Sequence, residues 1–180
     1  MISDEALMLE FQRGSRPAFE ELFERYRAPL FGFFRRRLAS RERAEDLTQE
    51  TFLAVVQATA RYEPRARLKT YLYGIAYHLL AAERRKLKAN AAPHLELLED
   101  RELAAADSPE AALWVREALE KLDATEREIL MLREYEQLSY AEIAGVLRLP
   151  VNTVRSRLFR SRMAVKQYLE PAKQTPQARR

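Results

Sequence analysis

The sequence predicts an all-α protein made of two small helical domains joined by a flexible acidic linker. Alanine, leucine, arginine and glutamate, which are common in helices, dominate the 180 residues, and only four glycines occur. Apolar residues recur at intervals of three and four, and alternating runs of β-branched residues are missing. A stretch with two prolines and no aromatic residue separates two such helical parts. We therefore expect one domain on each side of that stretch.

The composition narrows the classes of function. The chain is 47% hydrophobic, enough for a core, and 32% charged with a net charge of +4. It has no cysteine, and His78 and His94 are too few and too scattered for a histidine-rich site, so we expect no metal and no cofactor. The start "MISDEALM" lacks a signal-peptide pattern, and no run approaches the roughly 20 apolar residues of a membrane span. These features predict a soluble, cytoplasmic protein without membrane insertion.

Three long amphipathic helices are predicted for the first domain, residues 1–87. The first is "PAFEELFERYRAPLFGFFRRRLA", in which Phe19, Leu22, Tyr26 and Leu30 have helical spacing. "ERAEDLTQETFLAVVQATARY" is the second, and "LKTYLYGIAYHLLAAERRK" is the third. The proline-containing stretch "EPRAR" is read as the loop between the last two.

The second helix carries an acidic surface. Asp46, Gln49, Glu50 and Leu53 share one side of it, and we call these four residues the docking patch. A leucine within an acidic surface fits a site that binds a partner protein, although such a surface is more often merely solvated.

The third helix combines aromatic and basic residues opposite its apolar stripe, which we expect to be Leu68, Leu72, Ile75 and Leu79. The other side, its edges and the preceding loop carry what we call the strand-contact set: Arg65, Arg67, Lys69, Tyr71, Tyr73, Tyr77, His78, Arg84 and Arg85. Aromatic rings stack on unpaired nucleobases while cations follow the phosphates, so this set predicts a site for single-stranded nucleic acid. Alternatively, the tyrosines pack on a neighbouring helix.

Residues 88–110 hold six acidic residues and two basic ones, and they predict the flexible acidic linker. A plain solvated connection is the simpler interpretation of this composition. The second domain follows at residues 111–169, and residues 170–180 predict a disordered tail.

The second domain contains a helix-turn-helix pattern, "LSYAEIAGVLRLPVNTVRSRLFRSR". Ser139 is placed to cap its first helix, and Glu142 follows three residues later as in a capping box. Ile143 and Leu147 supply the buried side of that helix. Pro150 suits the first turn of the next helix, where a missing N–H has no cost.

The second helix of this motif predicts a reader of duplex DNA. Val154, Leu158 and Val165, with Val151 nearby, should face the core. The opposite side and its flanks form what we call the recognition ridge: Asn152, Thr153, Arg155, Ser156, Phe159, Arg160 and Arg162. Arginine binds guanine bidentately, an apolar ring contacts a thymine methyl, and flanking arginines hold phosphates. A solvated basic helix is the alternative.

Both domains resemble conserved regions of bacterial sigma factors. "FEELFERYRAPLFGFF", "AEDLTQETFLAVV" and "YLYGIAYHLLAAERRK" resemble the second region, and "LEKLDATEREILMLREYEQLSYAEIAGVLRLPVNTVRSRLFRSR" resembles the fourth. The chain passes from one to the other without a full third domain. This layout is similar to that of the extracytoplasmic-function (ECF) sigma factors of the sigma-70 family.

The resemblance implies a transcription initiation factor that is not an enzyme. Such a factor binds core RNA polymerase, recognises promoter DNA and promotes strand opening. The docking patch matches the segment that binds the polymerase clamp helices. The strand-contact set matches the part that captures the non-template strand of the minus-ten element, and the recognition ridge matches the reader of the minus-35 element. The linker matches the segment that threads into the polymerase channel, and an anti-sigma factor is an expected partner.

Four positions depart from the family pattern. Tyr71 stands where the family usually has tryptophan, and Tyr77 and His78 replace the usual arginine and asparagine. Asn152 replaces the usual glycine of the recognition helix. We therefore expect Tyr77 and His78 to affect the minus-ten preference, and Asn152 to affect the first minus-35 contact.

Two other classes of protein remain to be weighed against a sigma factor. A helix-turn-helix regulator with an amino-terminal sensing domain would need a ligand pocket or a dimer interface, and binding to core polymerase would separate it from a sigma factor. An enzyme is disfavoured because the sequence shows no nucleophile–base pair, metal cluster or glycine-rich phosphate loop.

Overall fold

The computed structural model describes residues 2–90 and 109–169, and within these ranges it contains α helices, one 3-10 turn and no strand. The helices of the first domain are α1 (Asp4–Gln12), α2 (Arg16–Arg35), α3 (Arg41–Ala58) and α4 (Leu68–Asn90), with the 3-10 turn at Thr59–Arg61. Those of the second domain are α5 (Pro109–Glu120), α6 (Ala124–Glu134), α7 (Tyr140–Leu147) and α8 (Val151–Leu169). The predicted all-α fold with two helical domains is confirmed. The linker predicted at residues 88–110 is shorter than expected, because residues 88–90 belong to α4 and residues 109–110 to α5. The rest of it, residues 91–108, and the predicted tail, residues 170–180, lie outside the described residues.

Serine caps begin the first three helices. The hydroxyls of Ser3, Ser15 and Ser40 each accept a hydrogen bond from a backbone N–H three residues later. Each cap satisfies a backbone donor that the helix itself leaves unpaired. Helix α1 was not predicted from the sequence, and it buries Leu7 and Met8 against the rest of the first domain.

Aromatic residues of α2 form the centre of the first core. Leu30, Phe33 and Phe34 are fully buried, and the two rings lie 5.1 Å apart edge to face. Leu22 and Tyr26 are buried as their helical spacing predicts, while Phe19 packs on the core from its margin. Helices α1, α3 and α4 pack around α2 and complete this domain.

The helix-turn-helix motif forms as the sequence predicts. The Ser139 amide donates to Glu142 Oε2 at 2.7 Å, and the Glu142 amide donates to Ser139 Oγ at 3.3 Å, so both halves of the capping box are present. Arg148 ends α7 with a left-handed backbone (φ 55°). Pro150 immediately precedes α8, and its carbonyl accepts from the amides of Thr153 and Val154. This short turn fixes the angle between α7 and α8.

The two domains are packed together. Helix α7 of the second domain lies along α4 of the first, and Arg37, just after α2, pairs with Glu128 of α6. The apolar stripe predicted for α4 is therefore only partly right. Leu72 is buried as expected, but Ile75 is only half-buried. The reason is that α4 is covered by other helices on two sides.

Candidate polymerase and nucleic-acid interfaces

The docking patch lies on the outer side of α3. Gln49 and Glu50 are exposed, and the Leu53 side chain is 58% exposed despite being apolar. Val56, one turn further along, is 43% exposed and extends the apolar part of the surface. Sequence reasoning missed Val56, although its spacing of three residues from Leu53 is the signal that would have found it.

A bidentate ion pair orients the acidic end of this patch. Arg43 donates from Nε and Nη2 to the two carboxylate oxygens of Glu83, each at 2.9 Å, and from Nη1 to Asp46 Oδ2 at 2.8 Å. The hydrogen bonds from Arg43 lower the pKa of Glu83. Two parallel N–H···O bonds restrict both side chains. Asp46 is thereby held at the surface beside Glu50.

The structure divides the strand-contact set in two. Arg65 and Arg85 are exposed to solvent, and Arg65 pairs with nearby Glu63 at 2.6 Å. Tyr71 is half-buried and packs edge to face on Tyr62 with ring centroids 5.5 Å apart. Arg65 and Tyr71, but not Arg85, line an open cleft that also contains Thr70.

The expected exposure of Tyr73 is wrong. Its side chain is 2% exposed, and its ring packs on Phe33 at a centroid distance of 5.6 Å. Burial raises the pKa of its hydroxyl. Tyr73 lies on the side of α4 that packs against the end of α2, and its ring is part of the core there. In this conformation it cannot stack on a nucleobase.

The remaining members of the set meet the second domain. Lys69 Nζ donates to the backbone carbonyl of Glu136 at 2.6 Å, and Arg84 Nη1 lies 3.6 Å from Glu128 Oε2. Tyr77 is half-buried, and its pKa is raised first by burial and then by the Glu128 carboxylate.

Two more contacts bring residues of the set to the helix-turn-helix. His78 Nε2 lies 3.3 Å from Arg148 Nη2, and Arg67 Nη1 lies 4.0 Å from Glu142 Oε1. Both pairs are at the exposed margin of the contact between the domains. The second domain thus covers part of the surface predicted to bind a DNA strand.

The recognition ridge projects from α8 into solvent. Phe159 is 66% exposed, and Asn152, Arg155 and Ser156 are exposed as well. Thr153 is half-buried. The buried side contains Val154 and Leu158, as the helical period predicts.

Two details of α8 differ from the prediction. Val151 is 40% exposed rather than buried, because it starts the helix at the margin of the domain. Ser161 is fully buried, and its hydroxyl donates to the carbonyls of Arg157 and Glu126 at 2.8 and 3.3 Å. A buried serine of this kind leaves no sign in a hydrophobic pattern.

Carboxylates at the edge of the second domain hold two arginines of the ridge. Arg160 Nη2 lies 3.5 Å from Glu126 Oε1, and Arg162 donates to Glu134 Oε1 at 2.6 Å. The Glu134 hydrogen bond raises the pKa of Arg162. Both side chains of the Arg162–Glu134 pair are about half exposed, so exchanging Glu134 for a phosphate costs little. In the other pair Arg160 is exposed, while Glu126 is only 16% exposed.

Known proteins match both domains. The model of the sigma-70 region 2 family matches residues 22–90, and that of sigma-70 region 4 matches residues 112–165. The RNA polymerase sigma-H factor of Pseudomonas aeruginosa is 35% identical, over 93% of this chain and 94% of that protein. The ECF RNA polymerase sigma-E factor of Haemophilus influenzae is 30% identical, over 94% of this chain and 97% of that protein.

A solved structure has the same fold. The sigma factor RpoE of Bartonella quintana, in complex with the anti-sigma factor NepR, is 20% identical, covers 86% of this chain and 98% of that chain, and gives a TM-score of 0.66. With the sequence relatives, it places the chain among all-α proteins of one architecture. The chain belongs to the sigma-70 family and is an ECF sigma factor, a transcription initiation factor.

The described residues form neither a metal site nor a membrane-spanning helix. In the described ranges, no group of three or more histidine, aspartate or glutamate side chains is arranged to hold a metal ion. Over the same residues, no helix combines the length and the apolar character that crossing a bilayer requires.

Proposed function

We propose that this sigma factor divides its work among the three surfaces described above. The recognition ridge reads the minus-35 element, the docking patch binds core RNA polymerase, and the strand-contact set holds the opened minus-ten strand. The observation that carries the proposal is Phe159, which is two-thirds exposed on the second helix of a capped helix-turn-helix. That helix contains four arginines and no acidic residue of its own. An exposed ring within a cationic surface suits a ligand that offers both phosphates and apolar groups, as the major groove of DNA does.

In the major groove, the ridge makes two kinds of contact. Arg160 and Ser156 point away from the core and reach base edges, while Phe159 meets a thymine methyl group. Arg162, at the flank, exchanges Glu134 for a phosphate. The direct base contacts determine sequence preference, and the phosphate contact positions the helix on the duplex.

The docking patch offers both apolar area and negative charge to the polymerase. Leu53 and Val56 supply the apolar part, and Asp46 and Glu50 flank it. A polymerase surface that fits it is a pair of helices with basic residues around an apolar centre, as the clamp helices of the family provide. Because the patch is on α3, it stays accessible while the second domain covers α4.

The strand-contact set acts after the duplex is engaged. Tyr71 and Tyr77 stack on unpaired bases, and Arg65, Arg67 and Lys69 follow the phosphates. Tyr73 supports α4 from inside rather than touching DNA. The factor contributes binding and the polymerase contributes catalysis, so no catalytic group is assigned to it, and it works in the cytoplasm together with the polymerase.

An anti-sigma factor is a further proposed partner. The Bartonella quintana sigma factor was solved with one, NepR. The apolar cleft between α5, α6 and α8, lined by Leu119, Leu130 and Val165, has a volume of about 320 Å³ and would accept apolar side chains of such a partner.

A binding experiment with core polymerase tests the docking patch. The double variant Asp46→Arg, Leu53→Ala reverses one charge and removes one apolar anchor, and we expect at least tenfold weaker binding to core enzyme with the helical content unchanged. Glu24→Arg, an equal charge change at an exposed site on α2, is the matched control and should bind normally. Unchanged affinity of the double variant would refute this assignment.

A further inference from the structure

A buried cluster of charges joins the two domains. Arg37 Nε donates to Glu128 Oε1 at 2.7 Å, and its Nη1 donates to Glu136 Oε1 at 3.1 Å. The Arg37 and Glu136 side chains are 0% exposed, and the Glu128 side chain is 6% exposed. The Arg37 guanidinium also lies over the ring of Phe33, 3.9 Å from its centroid. Arg37 thus connects the core of the first domain to two carboxylates of the second.

The surrounding contacts have the same polarity. On the first domain, Arg36 donates to Glu136 Oε1 at 2.8 Å and lies over the Tyr135 ring at 4.6 Å. Lys69 donates to the Glu136 carbonyl, and Arg84 faces Glu128. In each of these contacts the first domain presents a cation, and the second presents oxygen atoms or an aromatic ring.

The oxygens of the second domain occupy positions that a DNA strand needs. Lys69 and Arg84 belong to the strand-contact set, and Tyr77 lies between them on α4 next to Glu128. A strand that followed these cations would place its phosphates where Glu128 and the Glu136 carbonyl now lie. The strand and the second domain therefore compete for one surface.

We propose that the second domain is an internal cover of the minus-ten surface, in which Glu128 and Glu136 stand in for the phosphates of a DNA strand. In this closed form the free chain cannot hold an opened strand. The domains must separate at the Arg37 cluster before α4 becomes available. The inference rests on the strand-contact role given to α4 under the proposed function.

The charged cluster around Arg37 is the kind of contact from which two domains can separate. Burying charges is costly for each ion, and their mutual attraction offsets that cost only when every polar atom is paired. Glu136 Oε2 and Arg36 Nε are buried, and neither has a hydrogen-bond partner among the residues that the structure describes. When the domains separate, water can hydrogen-bond to both atoms. These new hydrogen bonds offset part of the attraction between the charges that is lost on opening.

The recognition ridge stays free in the closed form. Phe159 and Arg155 are exposed while α7 lies on α4, since the partners of α8 are α5, α6 and α7. The closed chain should therefore bind a minus-35 duplex and fail to bind a minus-ten strand. This difference separates a cover from a general loss of DNA binding.

The test compares chains in which the cluster is intact or neutralised. Glu128→Gln with Glu136→Gln weakens the contact, and Glu24→Gln with Glu120→Gln removes the same charge at exposed sites outside it. The sequence has no cysteine, so Gln57→Cys on α3 and Gln167→Cys on α8 give a clean pair of dye positions for distance measurement by energy transfer. The DNA probes are a fluorescent single-stranded oligonucleotide of minus-ten sequence and a minus-35 duplex, both taken from a promoter that the holoenzyme transcribes.

The cluster variant should show a longer distance between the dyes and at least fivefold tighter binding of the single strand, the lower end of usual coupling between sites. Its affinity for the duplex should equal that of the control, which also shows that the second domain is folded. An unchanged distance, or a longer distance without tighter strand binding, would overturn the proposal. If the glutamine variant loses duplex binding, Arg36→Gln with Arg37→Gln breaks the same contact from the first domain and must give the same gain.

Promoter-dependent transcription with core polymerase, measured on the same preparations, reports on the proposed function separately. Normal transcription without any gain in strand binding would overturn the cover and leave the sigma-factor assignment intact. A failure of transcription by the unmodified chain would instead count against the assignment.

Discussion

The replacement of Tyr73 by alanine separates a core residue from a DNA contact. The ring is 2% exposed and packs on Phe33. Removing a buried aromatic ring costs about 3–5 kcal/mol, from lost burial and the cavity that remains. Tyr73→Phe keeps the ring and should change the free energy of unfolding by no more than about 1 kcal/mol. Tyr71→Ala, at a half-buried position, should cost about 1 kcal/mol.

Urea unfolding followed by circular dichroism measures these differences. Trp114, the single tryptophan, lies in the second domain, so its fluorescence reports that domain while circular dichroism follows both. We expect the loss in Tyr73→Ala to appear in the first domain. Permanganate footprinting of promoter complexes supplies the functional readout, and Tyr73→Phe should open DNA normally. A cost below about 1 kcal/mol for Tyr73→Ala, together with reduced thymine reactivity, would show that the ring faces DNA and refute the packing argument.

Two further predictions concern α8 and the ion pair on α3. Arg160→Ala should cost about 1–3 kcal/mol and relax preference at one position when sites are selected from a randomised minus-35 library, whereas Arg162→Ala should weaken all sequences alike and reduce the salt slope by about one; an unchanged sequence preference in Arg160→Ala would contradict base reading. The pKa of Glu83 is lowered from 4.5 by its hydrogen bonds from Arg43, so its stabilisation is complete above that value and is lost as the pH falls through the folded-state pKa. Glu83→Gln should therefore flatten the acid side of the stability–pH profile in urea titrations, and an equally steep profile would show that the pair does not contribute.

Helix α8 shows which features helical periodicity can predict from the sequence. Its 3.6-residue period correctly places Leu158 inside and Phe159 outside, because one covered side is enough to determine the rotation of a helix. The prediction that Val151 faces the core is wrong, because helical spacing does not show that the first residue of α8 lies at the margin of the domain. The capping box of Ser139 and Glu142 was predicted correctly since both of its hydrogen bonds are local.

Helix α4 shows where the pattern fails. Tyr73 was placed with the exposed residues, but α4 is covered on two sides, and a single apolar stripe cannot represent that. The second cover depends on pairs such as Arg37 with Glu128, which are 91 residues apart in the chain. Charge pairing over such a separation has no local signature. For the same reason, the sequence predicted two domains without predicting their contact.

Run-off transcription is the most direct test of the central claim that this chain is a promoter-selective initiation factor. Purified chain, core RNA polymerase and a library of genomic fragments are combined, and the transcripts are mapped. We expect discrete start sites that share minus-35 and minus-ten elements, absent with core enzyme alone and lost with the Asp46→Arg, Leu53→Ala variant. Transcription no different from that of core enzyme alone, by a chain that still binds duplex DNA, would contradict the account and favour a regulator that acts without joining the polymerase.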